Sequence, residues 1–399
     1  MDDSRNNAPN NLRRIAARNR AHHRLLILDV SLLVFLVILL GNLFGKDRAF
    51  SDAENRSLAQ RPDFSLSALA DGSFFSGLTD WYSDQFMGRD RWISLHLWEL
   101  RRLGQKESGG VYLGKDGRLF SDPETPDAAS LVSTLSAVND FSAAHPELTT
   151  RIMLVPGAAA VMEDALPANA PVRDQMEDIR SVQNGLNDTV SWLEAGDVLL
   201  AHSQEEIYYR TDHHWTSYGA SLVYEATAGE MHLTPGDFQV YPVTVDFEGT
   251  LSSKSGSHAA RDLIEIYVPR EESLKYTVTF GEDTARVCSI YRRGALEQKD
   301  KYTVFFGGNH DRVEIRTTAN TGKSLLLLKD SFANCFVQFL LPGYDRITLI
   351  DPRYYYGSLD SILSGGVTDV LFLYSADTFL TDASLADVLR AGAQEEPAS

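Results

Sequence analysis

Ser324-Leu325-Leu326-Leu327-Leu328-Lys329-Asp330-Ser331-Phe332-Ala333 is the stretch on which the fold turns. Four leucines in succession, with no polar alternation, predict a short strand buried on both faces, as in a parallel sheet covered by helices. Lys329-Asp330-Ser331 then reads as a turn, and Phe332 to Leu341 as a short apolar helix ended by Pro342-Gly343. A strand that gives way to a helix in this manner presents Ser331 at the carboxyl end of the sheet, where free helix N–H groups face a developing oxyanion. That is a nucleophile's position; a serine there is equally an ordinary helix cap.

The same alternation extends outward. Arg151 to Val155, Arg346 to Ile350 and Val367 to Leu373 are further buried-strand runs, while Asp127 to Ala144, Asp174 to Gln183 and Thr216 to Met231 read as helices, the last with Thr216 or Ser217 as cap. Strand and helix alternate as in βαβ units, which predicts an α/β class over about residues 121–395. Residues 240–318 differ in character: Lys275 to Phe280, Tyr302 to Phe306 and Arg312 to Arg316 are short β-type runs, the last two joined by Gly307-Gly308-Asn309-His310, and the segment reads as a β-rich insertion. Upstream, residues 46–120 form a lead-in: an amphipathic helical stretch through Gly104, then a hairpin across Lys115-Asp116-Gly117. No internal repeat is visible.

Charge and hydropathy divide the 399-residue chain differently. Residues 1–24 carry six arginines against Asp2 and Asp3, and Leu25 to about Gly45 is apolar with Asp29 as its only charge. A basic leader before such a stretch predicts one membrane span with the amino terminus inside, and the poor small-residue pattern at Gly41-Asn42-Leu43 favours a retained signal-anchor over a cleaved peptide. The net charge of -18 excludes a nucleic-acid-binding surface, and from Lys46 onward the balance is more acidic still, at -21. The expected location is the cell membrane, with the large domain outside. Cys288 and Cys335 have no partner motif; a disulfide is open to them, but two buried free thiols is the simpler expectation.

A second chemical feature is Tyr208-Tyr209-Arg210-Thr211-Asp212-His213-His214-Trp215-Thr216. If Asp212 to His214 are extended, residues two apart share a side, so Asp212 orients His214 and His213 faces away. An acid that fixes the tautomer of an imidazole, beside a separately delivered serine, makes a general base for acyl transfer. Two structural histidines ahead of the next helix fit the pattern equally well. Adjacent histidines diverge on a strand and no further ligand spacing follows, so no metal is expected, and acyl transfer of this kind uses no cofactor. Thr321-Gly322-Lys323-Ser324 is not a phosphate loop, because the first glycine of that motif falls at Thr317 and a strand follows.

Thr211-Asp212-His213-His214-Trp215-Thr216 together with Lys329-Asp330-Ser331-Phe332-Ala333-Asn334 resembles the DHHW family of bacterial membrane-anchored proteins, related to the SGNH-type alginate O-acetyltransferases. The likeness extends to Glu54-Asn55-Arg56, Asp84-Gln85-Phe86, Val111 to Phe120, Gly307 to Asn309 and Asp351 to Tyr355. It implies an SGNH-hydrolase-like three-layer α/β/α domain with Ser331 as nucleophile, His214 as base and Asp212 as its orienting acid. Asn309 and Arg353 become candidates for oxyanion or substrate contacts, with turn and salt-bridge roles open to them as well. The implied activity is O-acetyl transfer to a cell-surface polysaccharide, with an integral-membrane partner that exports the acetyl group. A carbohydrate acetylesterase and a catalytically silent glycan-binding scaffold are the alternatives. Lys329 stands where a glycine is common in SGNH enzymes, which leaves the geometry of the turn to be seen.

Overall fold

In a computed structural model the structure describes residues 8–51, 56–281 and 285–391. Asp2, Asp3 and Arg5 of the leader, the Glu54-Asn55 pair and residues 392–395 lie outside the described residues. The chain divides into two compact units, Met1–His96 and Leu97–Ser399.

In the first unit one helix, α1 (Ala8–Phe44), contains the apolar stretch. Its His22–Asn42 segment has a mean hydropathy of 2.6 and is long and apolar enough to cross a membrane, with none of it buried in protein. Helix α2 (Ser73–Gln85) carries Asp84, whose carboxylate takes both arms of Arg56 at 2.9 and 2.6 Å and the amide of Ala59 at 2.8 Å. Gln85 meanwhile exchanges hydrogen bonds with the backbone of Arg48. The Asp84-Gln85 pair thus clamps the extended segments that precede α2, a structural task. The expected lead-in is helical here, in α2 and α3 (Arg89–Arg102).

The second unit is organised on a seven-stranded sheet: β1 (Thr149–Val155), β2 (Val190–Trp192), β3 (Tyr276–Phe280), β4 (Arg312–Thr317), β5 (Ser324–Lys329), β6 (Arg346–Ile350) and β7 (Asp369–Ser375). Their order is β3-β4-β6-β5-β7-β1-β2, and the pairs from β6 to β2 are all parallel. The leucine run of β5 lies at the centre, buried throughout. Its side chains alternate between two cores. Leu325 and Leu327 pack under α6 (Ser217–Thr227) and α7 (Ala333–Leu340), whereas Leu326 and Leu328 pack under α4 (Ala128–Ala144) and α5 (Gln175–Asn184). The unbroken apolar run is the central strand expected of it, and the two helical layers give the three-layer α/β/α arrangement that the resemblance implied.

The segment expected as a β-rich insertion is shared between two places. Phe238–Phe247 and Asp262–Pro269 form a separate antiparallel hairpin, but β3 and β4 join the main sheet as antiparallel strands beyond β6. Tyr302 to Phe306 is not a strand. The Asp300 carboxylate caps the Tyr302 amide at 3.2 Å and the chain winds into a 3₁₀ turn over Lys301–Val304, a local side-chain bond that outcompetes the β propensity of Tyr, Val and Phe. The cysteines do not pair, and only Cys335 is buried, with its thiol pushed up to about 12 by desolvation; Cys288 is exposed. The Thr321 and Gly322 amides are taken by the Asp345 carboxylate, so this loop has no free cradle for phosphate.

Two energetic consequences follow from polar groups within this layer. Arg151 of β1 meets Asp369 of β7 at 2.7 Å, both buried, and also donates to the Glu230 carbonyl. Arg151→Met is expected to lower stability by about 3–5 kcal/mol in urea unfolding, because it strands a buried carboxylate. Removing both charges together should cost much less. Asp377, just beyond β7, is pushed up to about 6, chiefly by desolvation, with its Oδ1 held by the Glu124 amide and the Gln175 side chain. A carboxyl raised when folded holds its proton longer than in the unfolded chain, so its contribution is full below about pH 4 and lost as pH rises towards 6. Thermal unfolding of Asp377→Asn should lose that part of the pH dependence, up to about 3 kcal/mol.

Candidate active site

Ser331 lies two residues beyond β5, at the carboxyl end of the sheet where the chain leaves in one direction for β6 and later returns on the other side as β7. Asp330 fixes the turn. Its Oδ1 accepts the Phe332 amide at 2.9 Å and its Oδ2 accepts the amide and hydroxyl of Ser375, at 3.0 and 2.7 Å. Lys329, in the place of the small residue, turns inward and is buried, with its ammonium 3.0 Å from Asn334 Oδ1 and 3.5 Å from Asp351 Oδ2. Desolvation lowers its pKa, partly offset by Asp351. The turn therefore tolerates Lys because a buried carboxylate and an amide stand ready for it.

The histidine loop arrives from the edge of α6. Tyr208 bridges Trp215, Thr216 N–H donates to the Ile207 carbonyl, and the six residues between are pulled into a bend. Asp262 makes that bend by accepting the amides of Arg210 and Thr211 and the Thr211 hydroxyl. The hairpin at Val111 to Ser121 supports it from below: the Leu119 amide donates to the Arg210 carbonyl and Arg118 reaches Glu206 and the Tyr208 carbonyl. Trp215, fully buried, donates to the Phe332 carbonyl at 2.8 Å and stacks on Phe336 with an interplanar angle of 6°. One indole thus ties the histidine loop to the serine turn.

These elements bring Asp212, His214 and Ser331 together. His214 Nδ1 lies 2.5 Å from Asp212 Oδ1, and His214 Nε2 lies 2.8 Å from Ser331 Oγ. Burial alone would raise the Asp212 carboxyl; the electrostatic pull of the His213 and His214 imidazoles when protonated and the donors of His214 and Thr250 outweigh it and hold the group well below the usual carboxylate range. Ionised Asp212 requires a proton on His214 Nδ1, leaving Nε2 free to accept from the serine hydroxyl.

The extended reading of Asp212 to His214 is corrected: the chain bends there, and His213 does not face away. Its ring lies against His214, with centroids 3.9 Å apart and planes at 37°, and its Nδ1 is 2.8 Å from Thr250 Oγ1. Asp212, His213 and His214 offer possible metal-ligand atoms within 4.8 Å of one another. Both oxygens of Asp212 are already committed, Oδ1 to His214 and Oδ2 to the amide and hydroxyl of Thr250 at 2.8 and 3.0 Å. Asn309 and Arg353 have defined partners too. Asn309 Oδ1 accepts from Asn334 Nδ2 at 3.2 Å, and Arg353 grips Asp351 at 2.8 and 2.7 Å, the salt-bridge role left open for it.

Three neighbours of this site carry no signal in the sequence. Thr250 reaches Asp212 across 38 positions and Asp262 reaches Thr211 across 51. Tyr302 stacks on His214 at 3.9 Å and 14° and donates to the Ser331 carbonyl at 3.0 Å, which holds the imidazole against rotation. The close passage of Thr250 over Asp212 is possible because residue 249 is glycine: a Cβ there would lie 2.2 Å from Asp212 Cβ and 2.4 Å from its Oδ2. Gly249→Ala is expected to displace the carboxylate from Thr250 and to lower stability by about 1–3 kcal/mol in urea unfolding, the cost of leaving a buried donor without its acceptor.

Comparison with known proteins follows the same lines. Residues 111–277 match the family model of the SGNH hydrolase-like domain of the acetyltransferase AlgX, and residues 54–103 match that of DHHW proteins. No curated protein sequence matches the chain. Among solved structures, a DHHW family protein from Eubacterium siraeum is 24% identical, with a TM-score of 0.61 over 70% of this chain and 95% of its own. PatB1 of Bacillus cereus, solved with a sulfonyl adduct, is 18% identical, with a TM-score of 0.57 over 69% of this chain and 98% of its own. These two likenesses concern the fold. By sequence over residues 54–103 and 111–277 the chain is similar to the DHHW proteins and to the SGNH hydrolase-like domain of the acetyltransferase AlgX, and about 70% of its length shares a fold with a solved DHHW family protein.

Proposed function

We propose that the second unit is an extracytoplasmic O-acetyltransferase that acts on a cell-surface polysaccharide through Ser331, His214 and Asp212, anchored by α1 with the arginine-rich leader in the cytoplasm. The single observation that carries this reading is His214 standing between a committed carboxylate and a serine hydroxyl, at 2.5 and 2.8 Å. Ser331 Oγ attacks the acetyl carbonyl while His214 Nε2 takes its proton and delivers it to the leaving group, whose bond to the acetyl carbon breaks. A sugar hydroxyl then attacks acetyl-Ser331 and gives its proton to His214; the bond to Oγ breaks and Ser331 recovers a proton. Among the described residues the Ser331 amide donates to no acceptor, and with α7 behind it this N–H serves the oxyanion. Asn309, whose Oδ1 is occupied, presents its amide hydrogens as the second donor. Arg353 stays with Asp351.

The acetyl donor reaches the outer face through an integral-membrane partner in this reading. Mass spectrometry of the full-length chain after brief exposure to p-nitrophenyl acetate tests it. An acetyl group on the Ser331 peptide, passed on to an added oligosaccharide, supports the transferase. Loss of the label only to water makes the protein an acetylesterase, and no label on Ser331 leaves a silent glycan-binding scaffold.

A further inference from the structure

The histidine that precedes His214 is held in one tautomer by its surroundings. Ionised Asp212 offers only acceptors, so Thr250 Oγ1, 3.0 Å from Asp212 Oδ2, must spend its one proton there. The same Oγ1 lies 2.8 Å from His213 Nδ1, and having no proton left it can only accept. His213 therefore carries its proton on Nδ1, and its Nε2 is a lone-pair acceptor. Were the proton on Nε2 instead, two lone pairs would face each other at one of these two contacts. Desolvation and the neighbouring His214 push this imidazole down to about 4, so it is neutral at physiological pH.

The direction of that acceptor follows from the convergence of both rings on one carboxylate. Asp212 Oδ1 is 2.5 Å from His214 Nδ1 and 3.7 Å from His213 Nδ1, so each Nε2 lies on the side of its ring away from Asp212. His214 Nε2 points at Ser331 there. His213, its ring tilted against His214 at 3.9 Å and 6.0 Å from the Phe332 ring, keeps a partly exposed side chain, and among the described residues its Nε2 has no hydrogen-bond partner. Two imidazole acceptors thus stand on adjacent rings, one committed to Ser331 and one unoccupied.

We infer that His213 is a specificity residue which accepts a hydrogen bond from the hydroxyl next to the one being acetylated, so that the acceptor is a vicinal diol. This rests on the transfer reading given above. During attack on acetyl-Ser331 the reacting hydroxyl loses its proton to His214, while its neighbour keeps its own and donates it to His213 Nε2. An acceptor with a lone hydroxyl leaves Nε2 without a partner, which favours the diol by the worth of one neutral hydrogen bond, about fivefold to tenfold in kcat/KM.

The test is a competition in one vessel, with the full-length chain in detergent, p-nitrophenyl acetate as donor, and cis-cyclohexane-1,2-diol against cyclohexanol as acceptors. The wild-type protein should form the diol ester in about fivefold to tenfold excess per hydroxyl. His213→Asn places an amide where Nδ1–H was, keeps the Thr250 contact and removes the acceptor; the excess should vanish. His213→Gln places a carbonyl oxygen where Nε2 was and should restore part of it. An unchanged ratio in His213→Asn overturns the inference. Nitrogen NMR of the histidine-labelled chain judges it without turnover: a proton on His213 Nδ1 and an Nε2 resonance moved by the diol support it, and a proton on Nε2 or an unmoved resonance overturns it. Absence of acetyl-Ser331 alongside a diol-sensitive Nε2 would instead remove the transfer reading and leave a diol-binding site.

Discussion

Asp212→Asn is expected to lower kcat on an acetyl ester by about 10⁴-fold while the protein remains folded. The carboxylate accepts four hydrogens: the ring and backbone N–H of His214 on Oδ1, and the amide and hydroxyl of Thr250 on Oδ2. An asparagine has one acceptor oxygen. If its NH₂ faces His214, the imidazole must move its proton to Nε2, and it then presents a donor to Ser331 Oγ instead of a base. If its NH₂ faces Thr250, a buried amide loses its acceptor and Thr250 shifts. The first orientation costs turnover, the second costs local stability of about 1–3 kcal/mol. Steady-state kinetics with circular dichroism separates them: a fall in kcat of less than about tenfold in a folded variant would show that Asp212 does not set the tautomer.

Ser331→Ala should have an effect at least as large, because in the proposed mechanism it removes the atom that carries the acyl group. Loss of ester turnover of about 10⁴-fold or more is expected, with the residual rate supplied by binding and the oxyanion donors alone. KM should change little. The hydroxyl is one small group, and the turn around it is held by Asp330, Trp215 and Tyr302, which the substitution leaves in place. A thermal midpoint close to the wild type is therefore part of the expectation. Ester turnover in Ser331→Ala equal to that of the wild type would sink the covalent mechanism.

Much of the architecture is legible along the chain. The leucine run of β5 has no alternation, so it had to be covered on both faces, and the flanking helix signals supply the cover. Asp127, Asp174 and Thr216 each cap the helix that begins after them, because a cap is a bond between residues three apart. The segment around Tyr302 went the other way. Its β-type composition predicts a strand, yet a single Asp300 contact turns it and sends Tyr302 over the imidazole of His214.

The site shows the same division. Asp212, His213, His214 and Ser331 are readable as reactive types at suggestive places, but the bend at Asp212 to His214 comes from Asp262, and the tautomer of His213 comes from Thr250. Neither partner lies within a local spacing. Sequence by itself determined the membrane-length apolar helix, the parallel core and the serine turn, since each is written in hydropathy or in bonds between near neighbours. Only the tertiary structure decided which imidazole meets Ser331 and which is left with an open acceptor. Those outcomes depend on hydrogen bonds between residues 37 to 117 positions apart, and only the packed sheet and helices bring such segments within reach.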